Sequence, residues 1–228
     1  MVFSRGRGRG RHAKDEQAQH DTIEAQPSSG PAIGPYDVSE APTGVRRLDL
    51  GSLQIPAIEG VEVRVQANPD GVIQQVVLAN RGSALQLGVF AAPRSEGIWD
   101  EVRAEIAESL RRDGATVQET TGDYGPELVA RVRTPEGHTH LRFVGVDGPR
   151  WMVRGLYQGA AADPAAAGPL AEALRGLVVD RGQEAKPVRE PLPLRLPREI
   201  ADQAGQAPAA QASASAAPAV RLPGSPTP

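Results

Sequence analysis

Residues 128–144 read Leu-Val-Ala-Arg-Val-Arg-Thr-Pro-Glu-Gly-His-Thr-His-Leu-Arg-Phe-Val. Apolar and polar side chains alternate on both sides of Thr134-Pro135-Glu136-Gly137, whose proline and glycine are typical of a turn. An alternation with a period of two indicates half-buried strands, so this stretch predicts an antiparallel hairpin. In the register that the pattern favours, the buried face carries Leu128, Ala130, Val132, Leu141 and Phe143.

The opposite face of the predicted hairpin is cationic, and it carries Arg131, Arg133, His138, His140 and Arg142. Such groups on neighbouring strands are suited to holding a small anion such as phosphate, or to docking an acidic partner. The alternative is an ordinary solvated face whose arginines pair with acidic groups of the same domain. A groove beside Trp99 and Trp151 is a further candidate for a binding surface, and Trp151 is included among the predicted binding residues.

A helix is predicted upstream of the hairpin. Apolar residues recur at every fourth position from Ile98 to Leu110, which gives the segment one apolar stripe. Ser95 is the predicted N-cap, and Gly114 is suited to the left-handed position that ends a helix.

The remaining elements place the hairpin in a larger sheet. Alternating or apolar runs predict strands at 48–56, 61–65, 72–78, 84–90, 116–121 and 151–157, and helical spacing predicts a second helix over 164–179. This order predicts the α+β class: a mostly antiparallel sheet of about six to eight strands with two helices, compatible with an α/β/α sandwich.

Composition divides the chain into a domain between two tails. Residues 1–46 are predicted to be a disordered N-terminal tail with an Arg-Gly repeat, and 201–228 a disordered Ala/Pro-rich tail, because neither has enough apolar surface to offset the entropy of ordering. Residues 47–200 are predicted to form a single α+β domain. This domain includes a proline-rich extended arm at 186–197, in which Leu192, Leu194 and Leu196 alternate with other residues.

Charge and cysteine content exclude several classes of protein. The chain has no cysteine, which rules out disulfides, thiolate metal sites and a cysteine nucleophile. No secretory signal and no run of about 18 apolar residues is recognised, so we expect a cytoplasmic protein. Residues 48–182 carry 13 basic and 18 acidic side chains, which argues against a globular nucleic-acid binder.

The N-terminal repeat carries a hypothesis of its own. Arg5, Arg7, Arg9 and Arg11 alternate with glycine, as in disordered segments that bind RNA through charge and guanidinium stacking. A basic arm acting as an electrostatic tether to nucleic acid is one interpretation, and a solubilising tail is the other.

Evidence for catalysis is mostly absent. The sequence contains no phosphate-cradling glycine loop, no nucleophile elbow and no His-Glu-x-x-His motif. His138 and His140 would project two imidazoles from one strand face, but two ligands do not make a metal site. We therefore expect no catalytic residues, no bound metal and no cofactor. The sequence therefore favours a protein that is not an enzyme.

Several short motifs together resemble a known family. They are Gly34-Pro35-Tyr36-Asp37, the run Arg47 to Leu53, Phe90-Ala91-Ala92-Pro93-Arg94, Trp99 with its helix, the run Arg142 to Trp151, and Pro191-Leu192-Pro193-Leu194. Over about Gly34 to Arg198 the chain resembles the uncharacterised actinobacterial domain-of-unknown-function family thirty-seven ten. That family has no established activity, so the resemblance implies no functional residues. The element order is also similar to the Mog1/PsbP-like α/β/α sandwich, whose members are mostly non-catalytic binding or assembly factors.

The leading functional hypothesis is therefore a non-catalytic binding or adaptor protein that holds a protein partner or a small anion. The first alternative is a nucleic-acid-associated protein tethered by its basic N-terminal arm. An enzyme of unknown type is the third.

Overall fold

A seven-stranded sheet and a four-stranded sheet form the frame of the molecule. The structure is a computed structural model that describes residues 33–68, 72–135 and 137–196. The strands are β1 (Tyr36–Asp37), β2 (Arg47–Asp49), β3 (Leu53–Pro56), β4 (Glu62–Ala67), β5 (Ile73–Asn80), β6 (Ser83–Ala91), β7 (Thr116–Gly122), β8 (Gly125–Thr134), β9 (Gly137–Gly148), β10 (Trp151–Gln158) and β11 (Val178–Val179). The helices are α1 (Trp99–Arg112) and α2 (Gly168–Arg175). The α+β class is confirmed, with a larger sheet of the predicted size and the two predicted helices.

The larger sheet is antiparallel throughout, in the order β4-β5-β6-β10-β9-β8-β7. Along β6, buried and half-buried residues alternate strictly, and Leu85, Leu87 and Val89 all point into the core. This is the face that the alternation in the sequence predicts, because successive side chains of a strand point to opposite sides.

Helix α1 covers one face of the sheet at its β7–β10 end. Trp99, Ile106 and Leu110 pack against a cluster that includes Leu128 and Phe143, so the buried face predicted for the hairpin is confirmed. The helix ends as predicted, because Gly114 has φ = +81°, in the left-handed region that favours glycine after a helix. The predicted N-cap is wrong, because Ser95 makes no capping bond and the helix begins after Ile98.

The opposite face of the larger sheet is covered by α2 and the smaller sheet. Leu170 and Leu174 of α2 share a buried cluster with Leu85 of β6 and Tyr157 of β10. The smaller sheet has the order β1-β11-β3-β2, in which only the β1–β11 pair is parallel. Neither described helix is both long and apolar enough to cross a membrane.

The predicted single strand at 48–56 is instead a hairpin of two strands. Its turn lies at Leu50-Gly51-Ser52, where the Leu50 amide donates to the Leu53 carbonyl and the Gly51 amide donates to Asp49 Oδ1. Gly51 has φ = +84°, a conformation that costs glycine little but other residues much more. A turn of this kind is not visible as a break in the apolar pattern, so the strand prediction was too long.

The second helix is shorter than its predicted range of 164–179. Residues Pro164–Ala166 form a 3₁₀ turn, and α2 runs only from Gly168 to Arg175. Pro169 lacks an N–H and therefore suits only the first turn of a helix. At the other end, Leu177 and Val178 are buried outside the helix, because the chain leaves α2 at Gly176 to form β11.

The folded region begins before the predicted boundary at residue 47. Strand β1 pairs with β11, and Asp37 accepts a hydrogen bond from Trp151 Nε1 at 3.0 Å. The Tyr124 hydroxyl donates to the Gly34 carbonyl at 2.8 Å. The predicted tails before residue 33 and after residue 196 lie outside the described residues.

Candidate functional site

The β8–β9 hairpin presents its cationic side chains in two directly opposed pairs. Arg131 lies opposite His140 and Arg133 lies opposite His138, and all four residues are exposed. Thr134 pairs with Gly137 across the turn, whose Glu136 lies outside the described residues. We call Arg131, Arg133, His138 and His140 the cationic face.

The cationic face has no acidic counterpart in the part of the chain that the structure describes. No described carboxylate lies within 4.0 Å of the nitrogens of these four side chains, and none of the four makes a side-chain hydrogen bond to a described residue. On the same face, β7 contributes Thr116 and Gln118. The guanidinium groups of Arg131 and Arg133 lie on the same face of β8 and repel each other, and no described carboxylate offsets their charge.

Arg142, the fifth residue of the predicted cationic surface, lies in a different environment. Its side chain is only 7% exposed, and Nη1 donates to Glu127 Oε2 at 3.2 Å. Nη2 donates to the Ala161 carbonyl at 3.3 Å, and the guanidinium carbon lies 4.1 Å from the centre of the Tyr157 ring. The 3₁₀ turn Gly159–Ala162 covers Arg142, whereas the hairpin continues beyond this cover to His140 and His138.

Glu127 is the residue that the sequence reasoning missed. Val129 pairs with Arg142, which makes Glu127 the diagonal neighbour of Arg142 on the same face. Burial raises the pKa of Glu127 above its ordinary value, while the charge of Arg142 opposes this shift. Burial also raises the pKa of Tyr157 to about 12. The sequence did contain a signal for this ion pair, because Glu127 and Arg142 have opposite charges and lie at diagonal positions of the predicted hairpin.

A cavity of about 280 Å³ lies above the ion pair, between the β7–β8 turn and α2. Its lining includes Glu127, Arg142 and Tyr157 on the sheet and Leu174 on α2. At its rim, Arg175 Nη2 donates to Asp123 Oδ2 at 2.6 Å, and both side chains are partly exposed. The cavity therefore has one ion pair on its floor and a second at its rim.

The two tryptophans do not flank one groove. Trp151 is almost completely buried in the cluster beneath the smaller sheet, and its indole is held by Asp37. Trp99 belongs to the cluster beneath α1, and its Nε1 donates to the Pro126 carbonyl at 2.7 Å. Trp99 also lines an open depression of about 580 Å³ at the start of α1.

The segment from Gly145 to Trp151 serves packing. Asp147 Oδ1 accepts from the Ile98 amide at 2.9 Å and Oδ2 from the Trp99 amide at 3.2 Å, so this carboxylate caps α1 from a neighbouring strand. A Cβ at Gly145 would overlap the Trp99 ring, and a Cβ at Gly148 would overlap the Trp151 ring. Two glycines of this motif therefore leave room for buried indole rings, and its aspartate caps the start of α1.

No metal centre is evident among the described residues, where no group of three or more His, Asp or Glu side chains is placed to hold an ion. His138 and His140 are exposed on one strand face, as predicted from their spacing. The arginines of the N-terminal repeat, Arg5, Arg7, Arg9 and Arg11, lie outside the described residues.

A known family matches most of the chain that the structure describes. The model of a family described as a protein of unknown function (DUF3710) matches residues 34–203. The chain belongs to the DUF3710 family. The match begins at the segment that leads into β1 and extends past the proline-rich arm, so the family region contains both sheets.

No curated protein matches the chain. Among solved structures, the DUF3710 chain is weakly similar to the solution structure of cyanobacterial PsbP (CyanoP) from Synechocystis sp. PCC 6803. The TM-score is 0.37 and the sequence identity 12%, over 60% of this chain and 92% of that chain.

Proposed function

We propose that this DUF3710 protein is a cytoplasmic, non-catalytic binding or adaptor protein that docks an acidic, extended segment of a partner protein on the cationic face. The observation that carries the proposal is the juxtaposition of Arg131 with His140 and of Arg133 with His138, without a described acidic neighbour. A partner that supplies carboxylates would remove the repulsion that the isolated hairpin retains.

The spacing of these groups favours an extended peptide over a small anion. Residues two apart on a strand lie about 7 Å apart on one face, which sets the distance between the Arg131 and Arg133 positions. Alternate side chains of an extended acidic peptide have the same spacing, so two carboxylates can meet two guanidinium groups at once. A small anion would reach only one cross-strand pair. Arginine suits this task because its planar group holds a carboxylate with two parallel hydrogen bonds.

The acidic charge of the rest of the domain would direct an acidic segment to the cationic face. With 13 basic and 18 acidic side chains over residues 48–182, an acidic segment is repelled elsewhere and is attracted mainly where cations cluster. Binding on an exposed face should therefore be fast, and it should weaken as salt rises.

A titration of the full-length chain tests this proposal. A fluorescently labelled polyglutamate peptide is the probe, and its anisotropy is followed at low and at raised salt. We expect saturable binding to the native chain at low salt and a loss of roughly tenfold in affinity in the double variant Arg131→Gln/Arg133→Gln. The matched control is Arg46→Gln/Arg94→Gln, which removes the same charge from exposed arginines away from the hairpin.

Two results would reject the docking proposal: no binding of polyglutamate at low salt, or equal losses in the hairpin and control variants. A labelled single-stranded oligonucleotide tests the alternative function. If the protein is tethered to nucleic acid by its N-terminal repeat, oligonucleotide affinity disappears on deletion of residues 1–14 and is unchanged in the hairpin variant.

A further inference from the structure

The cavity between the β7–β8 turn and α2 has the size of a small binding site. Its volume of about 280 Å³ would hold about nine water molecules at roughly 30 Å³ each. This is close to the lower end, about 300 Å³, of pockets that take small molecules. None of the four residues of the cationic face lines it, so its role is independent of the proposed docking function.

The floor of the cavity contains a carboxylate oxygen that lacks a donor. Glu127 Oε2 accepts from Arg142, but no described group donates to Oε1. Oε1 points toward Gly122, where a Cβ would overlap it, so the glycine leaves room for the carboxylate. A carboxylate can accept about four hydrogen bonds, so Oε1 keeps acceptor capacity for a donor group in the cavity. Burial raises the pKa of Glu127 above its ordinary value, while the charge of Arg142 opposes this shift.

The charged groups around the cavity are paired with each other, and the buried Nε of Arg142 has no described partner. Arg142 is paired with Glu127 at 3.2 Å on the floor, and Arg175 is paired with Asp123 at 2.6 Å on the rim. An anion placed beside Oε1 would be repelled by Glu127, and a cation there would approach the Arg142 guanidinium. An uncharged group with an N–H or O–H meets the free oxygen without either penalty.

Apolar side chains line one side of the cavity. Val144 of β9, Pro164 and Ala167 before α2, and Ala171 and Leu174 of α2 surround the polar floor. Apolar walls with a few polar groups at one end are typical of sites that orient a small molecule with one polar end. The ligand should therefore have a compact apolar body and a single donor group.

We propose that this cavity binds a small uncharged molecule whose amide N–H or hydroxyl donates to Glu127 and whose apolar body packs against α2. The Asp123–Arg175 ion pair lies at the entrance, and Tyr157 with the stacked Arg142 supports the floor.

Three fragments of nearly the same shape test the ligand class on the full-length chain: benzamide, benzylamine and benzoate. Backbone amide chemical shifts are followed in NMR titrations. We expect saturable shifts at Gly122, Glu127 and Ala171 with benzamide, with a dissociation constant on the order of 1 mM. Benzylamine should bind more weakly, and benzoate at least about tenfold more weakly than benzamide.

Two variants separate ligand binding from folding. Ala171→Leu fills the cavity without touching the ion pair, and it should abolish the benzamide shifts. Ala104→Leu places the same change on an exposed position of α1 and should leave benzamide binding unchanged. Glu127→Gln keeps the shape of the side chain but removes the carboxylate, and it should weaken benzamide binding several-fold.

The proposal is overturned if benzamide gives no saturable shifts, if benzoate binds as tightly as benzamide, or if the Ala171→Leu chain, folded by its spectrum, binds like the native chain. Because polyglutamate binding depends on other residues, it can succeed or fail without changing these outcomes.

Discussion

Asp147 lies near the end of β9, yet its carboxylate stabilises the start of α1. It accepts hydrogen bonds from the backbone amides of Ile98 and Trp99. The N-cap residue itself, Ile98, makes no side-chain capping bond. The negative charge also lies at the positive end of the helix. A single side chain thus connects the helix on one face to the strand beneath it.

Replacing this cap should destabilise the protein. We expect Asp147→Ala to lower the free energy of unfolding by about 1 kcal/mol, because two amides of the first turn lose their acceptor. Urea denaturation followed by circular dichroism measures the change.

Asp163→Ala is the comparison for this variant. Asp163 accepts from the Ala165 amide, but it caps only a short exposed 3₁₀ turn, so its loss should cost clearly less. If both variants lowered the free energy of unfolding by the same amount, the long-range cap would stabilise the protein no more than the local one does.

At the scale of elements, the proline-rich arm pairs with the end of β6 that β5 does not reach. The Leu192 amide donates to Val89, and the Ala91 amide donates to Glu190, both at 2.9 Å. Further along, the Ile73 amide donates to Leu194, so the arm joins β6 to the start of β5. Leu192 and Leu194 are buried while Pro191 and Pro193 are exposed, which suits residues that lack an N–H.

The arm should contribute strongly to stability. We expect Leu192→Ala to lower the free energy of unfolding by about 3 kcal/mol, because it removes a buried side chain and leaves a cavity. Hydrogen exchange at the Ala91 amide should become faster in the same variant. Denaturant unfolding and exchange followed by NMR measure the two effects.

Val188→Ala is the matched control, because Val188 lies in the same arm with 49% of its surface exposed. This variant should lower the free energy of unfolding by less than about 0.5 kcal/mol. If Leu192→Ala were equally mild, the arm would not be part of the cooperative fold.

At the scale of the whole molecule, residues 33–46 tie the two sheets together. β1 adds the edge of the smaller sheet, and Asp37 holds the indole of Trp151, which belongs to the larger one. The buried indole N–H loses its described acceptor if this segment is removed.

A chain that begins at residue 47 should therefore be less stable than one that begins at residue 33. We expect a difference of about 3 kcal/mol in the free energy of unfolding, from lost apolar burial and the unpaired indole. Thermal and urea unfolding of the two chains measure it. Equal stability would place the start of the cooperative unit at the boundary that composition alone predicts.

The sequence by itself determined the strands of the larger sheet, the helix α1, the α+β class and the sidedness of the β8–β9 hairpin. Each of these follows from a local period, because apolar residues at a spacing of two or of about four fix which side of an element is buried. The same alternation placed the four residues of the cationic face on the exposed side of the hairpin.

Only the tertiary structure decided which of the cationic residues are reachable and what holds the elements together. The burial of Arg142 depends on a 3₁₀ turn that covers one end of the hairpin, and its pairing with Glu127 depends on strand register. The cap at Asp147, the backbone hydrogen bonds of the proline-rich arm and the pairing of β1 with β11 all join residues far apart in the chain. Local patterns do not specify such contacts, since they arise from the way the elements pack and not from the period of any one of them.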